Sequence, residues 1–480
     1  ATTEIYTLPL HDALPISWDG TIVEQIDDLP ERIVSERDMH YRCCEHKEKA
    51  ILKERIRVAL GLAPDDLGRH TTLSQMAAHS LKNPPASRKC TIEMLAVACD
   101  RCPIDKYIVT DACRNCVAHH CQKACPKDAI AIIHTRAYID RAKCTECGLC
   151  ARSCRYNAIV QITRPCEQAC AVNAIKRDSD NTAVIDCDSC VGCAACLTAC
   201  PFGSVADYTQ LLTVVSMLKQ QSQPVHAILA PSFIGQFGPK ASPKAVVAAL
   251  GILGFAHVHE AATGAEQVAS LEAAEFKSRL AEGHQFMTSS CCPSFVRLVK
   301  GHYPELADYV SHTRSPMVEV ASHIKKQDPR AQTVFIGPCI AKKSEASGTH
   351  EVDAVLTFEE LGCLFVARGI NVAAISAIGQ LNDAGPVGRG FGKSGGVAKA
   401  LEGALALELK FDTRVANGMA EALQTLDEAR QGKLNGLFVE GMACCGGCVG
   451  GPGTLINHNI AAKLLERFCQ EPSTLKSVAP

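Results

Sequence analysis

Hydrophobic spacing divides the chain into three kinds of text. Between residues 18 and 90 apolar positions recur at helical intervals among charges, as in EKAILKERIRVALGL, which predicts a small helical N-terminal unit. Residues 91–205 carry only short polar segments between closely set cysteines, too little apolar text for a large core. From 206 to 480 the chain becomes rich in Ala, Val, Leu and Gly. Short apolar runs there (HAILAPS, QFMTSS, TVFIGPC, VDAVLT, VAAISAIG, GLFVEGM) alternate with helix-like stretches such as PKAVVAALGILG and GVAKALEGALALEL. That alternation predicts a mostly parallel sheet flanked by helices. The expected class is a multidomain α+β and α/β protein. Residues 1–17 match nothing that follows and lack the basic start and apolar run of a signal peptide, so they are expected to be a non-native or disordered extension. No run of about 18 uninterrupted apolar residues predicts a membrane span.

Composition narrows the function. Forty-seven per cent hydrophobic residues in 480 are ample for real cores, while 49 Lys and Arg against 51 Asp and Glu give a net charge of −2. Such a balance offers no electrostatic reason to expect nucleic acid or an anionic membrane as partner. The 28 cysteines are the outstanding feature, and seventeen lie between 91 and 205. Without an export signal they are expected in a reducing compartment, the cytoplasm, where tight thiol clusters are metal sites more often than disulfides. Metal binding would then supply the cohesion that this segment lacks in apolar side chains.

The spacing identifies the metal. Cys113-x2-Cys116-x4-Cys121-x3-Cys125-Pro126 is followed by Cys144-x2-Cys147-x2-Cys150-x3-Cys154; after Cys166-x3-Cys170 comes Cys190-x2-Cys193-x2-Cys196-x3-Cys200-Pro201. These are the runs by which bacterial ferredoxins hold [4Fe–4S] clusters, three thiolates on one cluster and the fourth on its neighbour. Structural zinc would favour paired Cys-x2-Cys halves. Exchange of fourth ligands predicts one cluster on Cys113, Cys116, Cys121 and Cys154, a second on Cys144, Cys147, Cys150 and Cys125, and a third on Cys190, Cys193, Cys196 and Cys170. Cys166 and Cys200 make a fourth set only if Cys99 and Cys102 join them, so the count is three to four clusters; Cys187 is a rival ligand or a plain buried thiol. Clusters in series imply electron transport towards a buried site.

In the α/β region three predicted strands run directly into cysteine-bearing loops: QFMTSS into Cys291-Cys292, TVFIG into Pro338-Cys339, and GLFVEGM into Cys444-x3-Cys448. Open α/β sheets bind ligands outside the carboxyl ends of their strands, so these loops are expected to converge. The alternative is scattered core cysteines.

Here the chain resembles the [FeFe]-hydrogenases, whose three signatures appear in order as TSSCCPSF (288–295), PCIAKKSE (338–345) and EGMACCGGCVGGPG (440–453), within a resemblance covering about 95–470. It implies ferredoxin-like 2×[4Fe–4S] units over 91–205 and a two-lobed α/β H-cluster domain over 206–480. It also implies a ferredoxin hydrogenase, catalysing reversible proton reduction to H2 with electrons from ferredoxin or a similar small redox protein, and dependence on maturation proteins. By the same resemblance Cys292, Cys339, Cys444 and Cys448 would bind the H-cluster, a [4Fe–4S] unit joined to a two-iron subsite with CO and cyanide ligands. Lys342 and Ser232 would approach a cyanide, and Met442 would pack against the subsite. Cys291 would donate protons, continued by Glu272, Ser311 and Glu275. Taken alone, Glu272, Glu275 and Lys342 would read as surface charges.

The chain departs from the better-known branch at several points. Ser294-Phe295 replaces Gly-Trp, Gly337 replaces Met, Met317 replaces Gln, Pro452 interrupts the last glycines, and Cys445 is an extra thiol. These changes resemble the less studied group B branch. The alternatives are a hydrogen-sensing protein or a hydrogenase-like iron–sulfur assembly protein; Cys291 and Lys342 argue against the latter.

Overall fold

Three main helices, Leu29–Ser35, Glu45–Ala59 and Leu73–Lys82, realise the amino-terminal helical spacing. Ile33, Leu52, Ile56, Leu73 and Met76 close on one another and on Leu212. The third helix starts at a capping box: the Thr72 hydroxyl accepts from Gln75 N–H at 3.2 Å, and Gln75 Oε1 accepts from Thr72 N–H at 3.1 Å. This computed structural model describes residues 21–35, 42–68, 70–83, 88, 90–100, 102, 106–180, 182–220, 222–376, 381 and 384–470; the extension expected at 1–17 lies outside them.

The cysteine-rich segment is built from paired short strands. β1 (Ile92–Met94) pairs antiparallel with β8 (Val205–Asp207). Inside that bracket β2 (Tyr107–Val109) pairs with β5 (Ile159–Gln161), and β3 (Ile130–Ile133) forms a hairpin with β4 (Arg136–Ile139). A second hairpin, β6 (Ile175–Arg177) with β7 (Ala183–Ile185), follows. One small β unit is thus inserted into another, between Cys102 and Cys166. The short segments KDAIAII, YNAIVQI and VNAIKRD, which follow three of the cysteine runs, lead into β3, β5 and β6.

Two parallel sheets follow. β9 (Val225–Leu229), β10 (His257–Glu260), β12 (Gln332–Ile336) and β13 (Ala354–Leu356) lie in the order β10-β9-β12-β13, and β11 (Phe286–Thr288), β14 (Asp412–Asn417) and β15 (Leu437–Met442) in the order β11-β15-β14. Every pairing in both is parallel. β9, β11 and β13 are buried throughout, as expected of strands covered on both faces, and so read as continuous apolar runs. Ile228, Leu250, Val334 and Phe358 belong to the first sheet's core. Phe295, Leu298 and Val439 pack on one side of the second sheet, and Phe276, Met287 and Phe438 on the other. The run VAAISAIG differs from expectation. Val372–Ala374 is a 3-10 turn with only Val372 buried, the next inward residue being Ile375, and residues 377–380 lie outside the described set. An inward interval of three residues does not suit a strand.

One close contact sets the position of the site. The helix Ala261–Ala281 approaches the helix Pro316–Gln327 at Gly264, where a Cβ would stand 2.6 Å from Pro316 O and 2.7 Å from Val320 Cγ2. Only glycine admits this spacing. Among the described residues no helix is long and apolar enough to cross a membrane.

Candidate functional site

The loops after β11, β12 and β15 meet where the carboxyl ends of the two sheets face one another. One cavity is lined by Cys291, Cys292, Cys339, Cys444 and Cys448, together with Lys342, Met317, Met442 and Pro231. Cys193 of the cysteine-rich segment also lines it. The convergence expected from strand ends is therefore present, and a thiol of the ferredoxin-like runs reaches the same space.

The thiols of this cavity are electrostatically uncomfortable as they stand. Burial, reinforced by Cys292 and Cys448 and opposed by Lys342, pushes Cys339 up to about 12. Burial and Cys292 take Cys448 to about 11, and burial with Cys339 and Cys292 raises Cys444 well above the thiol range. Four thiolates cannot share a low-dielectric pocket without positive charge between them, which metal supplies while deprotonating its ligands. Lys342 sits at the rim, 2.6 Å from Glu345 Oε2 and 3.3 Å from the Cys291 carbonyl. Burial opposes its charge, yet Glu345 and Cys339 outweigh burial and raise its pKa. Ser232 is 1% exposed and its hydroxyl has no hydrogen-bond partner among the described residues. A buried hydroxyl left unsatisfied costs about 1–3 kcal/mol, so an acceptor is missing from its surroundings.

A chain of polar groups leads out of the cavity. Burial, then the charge of Glu272, pushes the Cys291 thiol well above its usual value. Glu272 is fully buried; its Oε1 accepts from Ser290 N–H at 3.0 Å and from the Ser290 hydroxyl at 3.2 Å, while Oε2 has no hydrogen-bond partner within reach among the described residues. Burial raises this carboxyl to about 7, against the pull of Ser290. Ser311 donates to Glu275 Oε2 at 2.6 Å and also favours the ionised form of Glu272. Glu275, whose partial burial is outweighed by Ser311, the His312 N–H and Arg279, is held below the usual carboxylate value. Arg279 reaches Glu275 at 2.6 Å, and the exposed His312 ring lies 3.4 Å away. Ser290 had no place in the sequence reading; its only signal was adjacency to Cys291.

The relay cysteines fall into neighbouring groups. Cys121 has Cys154, Cys116 and Cys113 around it, and Cys125, Cys144, Cys147 and Cys150 line one small cavity. Cys193 has Cys190 and Cys170 as charged neighbours, and Cys196 adds Cys166 to that list. Burial first, then Cys200, Cys99 and Cys102, raises Cys166 to about 11, so the structure also gathers the fourth set. The rival Cys187 stands beside Cys90, whose thiol hydrogen-bonds Cys190 and Cys187. Cys90 carries no spacing signal and was not anticipated.

Two departures from the better-known branch have visible surroundings. A Cβ on Gly337 would meet Phe335 at 2.7 Å and Ala230 at 2.9 Å, leaving no room for a longer side chain. Cys445 is exposed, its sulfur lies 2.7 Å from where a Cβ on Gly418 would stand, and it is not among the residues that line the cavity.

Residues 223–452 match the iron only hydrogenase large subunit, C-terminal domain, and residues 137–160 match the 4Fe-4S binding domain. The chain is an iron-only hydrogenase-like protein. It is 27% identical over 396 residues to iron hydrogenase 1 of Clostridium pasteurianum, covering 68% of this chain and 67% of that one. It is 30% identical over 261 residues to the periplasmic [Fe] hydrogenase large subunit of Nitratidesulfovibrio vulgaris, covering 43% of this chain and 61% of the relative. A solved variant of the [FeFe]-hydrogenase of Chlamydomonas reinhardtii covers 54% of this chain and 88% of its own length, at 23% identity and a TM-score of 0.46. In this hydrogenase-like protein the residues present fit the family's H-cluster. The thiols ring one cavity, a buried lysine stands at its rim, and an unsatisfied serine hydroxyl is buried beside Pro231, which lines it. Iron–sulfur clusters and an H-cluster are thus the cofactors that the family match and the donor set support.

Proposed function

We propose that this chain is an [FeFe]-hydrogenase that interconverts protons and hydrogen, 2H⁺ + 2e⁻ ⇌ H2, with ferredoxin or a similar small redox protein as electron donor. One observation carries the reading: the cavity that holds Cys292, Cys339, Cys444 and Cys448 is also lined by the relay thiol Cys193 and by Cys291, behind which stand Glu272, Ser311 and Glu275. Electron supply, proton supply and metal-binding thiols meet in one place.

When bound, the H-cluster supplies an iron with an open position at which hydrogen is formed or split. The chain's own residues do the rest. Cys292, Cys339, Cys444 and Cys448 hold the group, and Met442 and Met317 keep water from the cavity. Lys342 offers a positive charge, and Ser232 a hydrogen bond, to anionic ligands at the rim. Cys291 exchanges a proton with the reacting centre and Glu272 replaces it; at about 7 this carboxyl is poised for both uptake and release near neutral pH. Ser311 passes the proton to Glu275, which Arg279 and His312 connect to solvent. Sixteen cysteines in four sets form the electron relay, with the set on Cys170, Cys190, Cys193 and Cys196 next to the catalytic cavity. A reducing compartment, the cytoplasm, suits a chain whose many cysteines serve clusters and not disulfides.

The test is anaerobic expression with the hydrogenase maturation proteins, infrared spectroscopy for bound CO and cyanide, and hydrogen evolution from reduced ferredoxin or viologen. The diatomic bands and turnover are expected together. Full [4Fe–4S] loading without those bands would overturn the reading in favour of an assembly protein, and bands with negligible turnover would favour a sensor.

A further inference from the structure

Three histidines share one face of the first sheet. β10 is the edge strand, and its parallel register sets His257 opposite His226 of β9 and His259 opposite Ile228. Side chains two apart on a strand point to the same side, so His226, His257 and His259 project together. His226 Nδ1 lies 3.0 Å from His259 Nε2, and these two rings are stacked, with 6° between their planes and 5.2 Å between centroids. The centroid of the His257 ring stands 4.8 Å from that of His226. None of the three lines the cysteine-ringed cavity, and the proposed function uses none of them.

This geometry is that of metal ligands. Two imidazole nitrogens bound to one zinc-like ion at about 2.0–2.1 Å stand roughly 2.9–3.4 Å apart, which includes the His226–His259 separation. A His-x-His pair on one strand and a third histidine on its neighbour offer three nitrogens to a single point above the sheet. Ligating imidazoles must be neutral. Burial, then the charges of His226, His257 and His323, pushes His259 down to about 4. Burial and His257 likewise lower His226, against the pull of Asp328. His323 and Asp328 come from the end of the helix Pro316–Gln327, and the His323 ring is already oriented by Gln327, whose Nε2 is 2.8 Å from its own Nε2. Among the described residues no group of three donor side chains is already set to hold a single ion. Here two are in place, and the third arrives by rotation of His257, whose side chain is exposed.

We propose that His226, His257 and His259 bind one divalent first-row transition ion of the zinc type, which ties the edge strand β10 to β9. The ion takes the place of the proton between His226 and His259; that proton moves to the other nitrogen of its own ring, and no electron is transferred. β10 runs directly into the helix Ala261–Ala281, so the same tie anchors the base of the helix that carries Glu272 and Glu275. The inference is independent of hydrogen chemistry.

The experiment uses the full chain loaded anaerobically with its [4Fe–4S] clusters, so that the clustered thiols are occupied, with iron content measured before and after zinc is added. Zinc is titrated by calorimetry, and the X-ray absorption edge of the one-equivalent complex is recorded. One equivalent should bind with nitrogen and oxygen neighbours and no sulfur, and should raise the melting temperature. His257→Ala, a change at an exposed position, should weaken binding by at least about tenfold, the cost of losing even an outer partner of a metal ligand. The variant His226→Gln, His259→Gln should lose both the equivalent and the gain in melting temperature. Sulfur neighbours around the zinc would place it on spare thiols and overturn the proposal, as would an unchanged affinity in His257→Ala. Should the double variant fail to fold, diethylpyrocarbonate labelling of the unaltered chain decides the matter. Zinc should slow modification of His257, and an equal rate with and without zinc overturns the site. Because hydrogen is never the readout, an absence of CO and cyanide bands would sink the hydrogenase reading and leave this one standing.

Discussion

The Ser311 hydroxyl lies 2.6 Å from Glu275 Oε2, and the same hydroxyl favours the ionised form of the fully buried Glu272. The two carboxylates sit one helical turn apart on Ala261–Ala281, while Ser311 arrives from the loop before Pro316–Gln327. Ser311 thus joins an inner carboxyl to an outer one. Ser311→Ala should lower hydrogen evolution by about 10²-fold or more, the usual worth of a positioned proton-transfer group. The CO and cyanide bands should be unchanged; infrared spectra and turnover on the same preparation check it.

Cys291 lies at the inner end of that route, beside the proposed ligand Cys292. Cys291→Ala should leave the cluster bands intact and reduce turnover to background, because no other titratable side chain of the route lines the cavity near Glu272. Cys291→Asp should restore a measurable fraction, since a carboxyl can also carry the proton. Equal turnover in the Ala variant would remove Cys291 from the mechanism.

Burial raises Glu272 from an ordinary carboxylate value to about 7. Below that value the folded chain holds a proton that the unfolded chain releases from about pH 4.5 upward. The stabilisation of the folded state is therefore complete at low pH and is lost as pH rises through about 7. A protonated-carboxyl infrared band should be present at about pH 6, absent by about pH 8.5, and missing at both in Glu272→Gln. The same variant should flatten the alkaline fall in stability.

Gly337 has Phe335 and Ala230 where a side chain would begin. Gly337→Met, the residue of the better-known branch, should destabilise the fold by about 1–3 kcal/mol, the cost of overpacking. A lowered melting temperature would check it, and pairing it with Phe335→Ala, which vacates the space, should recover part of the loss.

Much of this molecule is written in local order along the chain. Four-cysteine runs declare iron–sulfur ligation because three thiolates must come from one tight loop. The strands β9, β11, β12, β13 and β15 are legible as short, mostly apolar runs because a strand covered on both faces keeps few polar positions. Their carboxyl ends fix Cys291, Cys292, Cys339, Cys444 and Cys448 near one another before any coordinates are seen. Other relationships depend on chain closure, which spacing does not encode. Cys99 and Cys102 meet Cys166 and Cys200 only because β1 pairs with β8 around an inserted unit, and Cys90 reaches Cys190 across a hundred residues without a motif. Glu272 looks like a solvated helix charge until the second sheet and the Ser290 loop bury it, and burial, a property of what packs around a residue, is what moves its pKa. The sequence by itself determined which residue types could hold iron and where the strands would end. Only the tertiary structure decided which distant thiols share one cavity and which carboxyl loses solvent, because desolvation is a sum over distant neighbours.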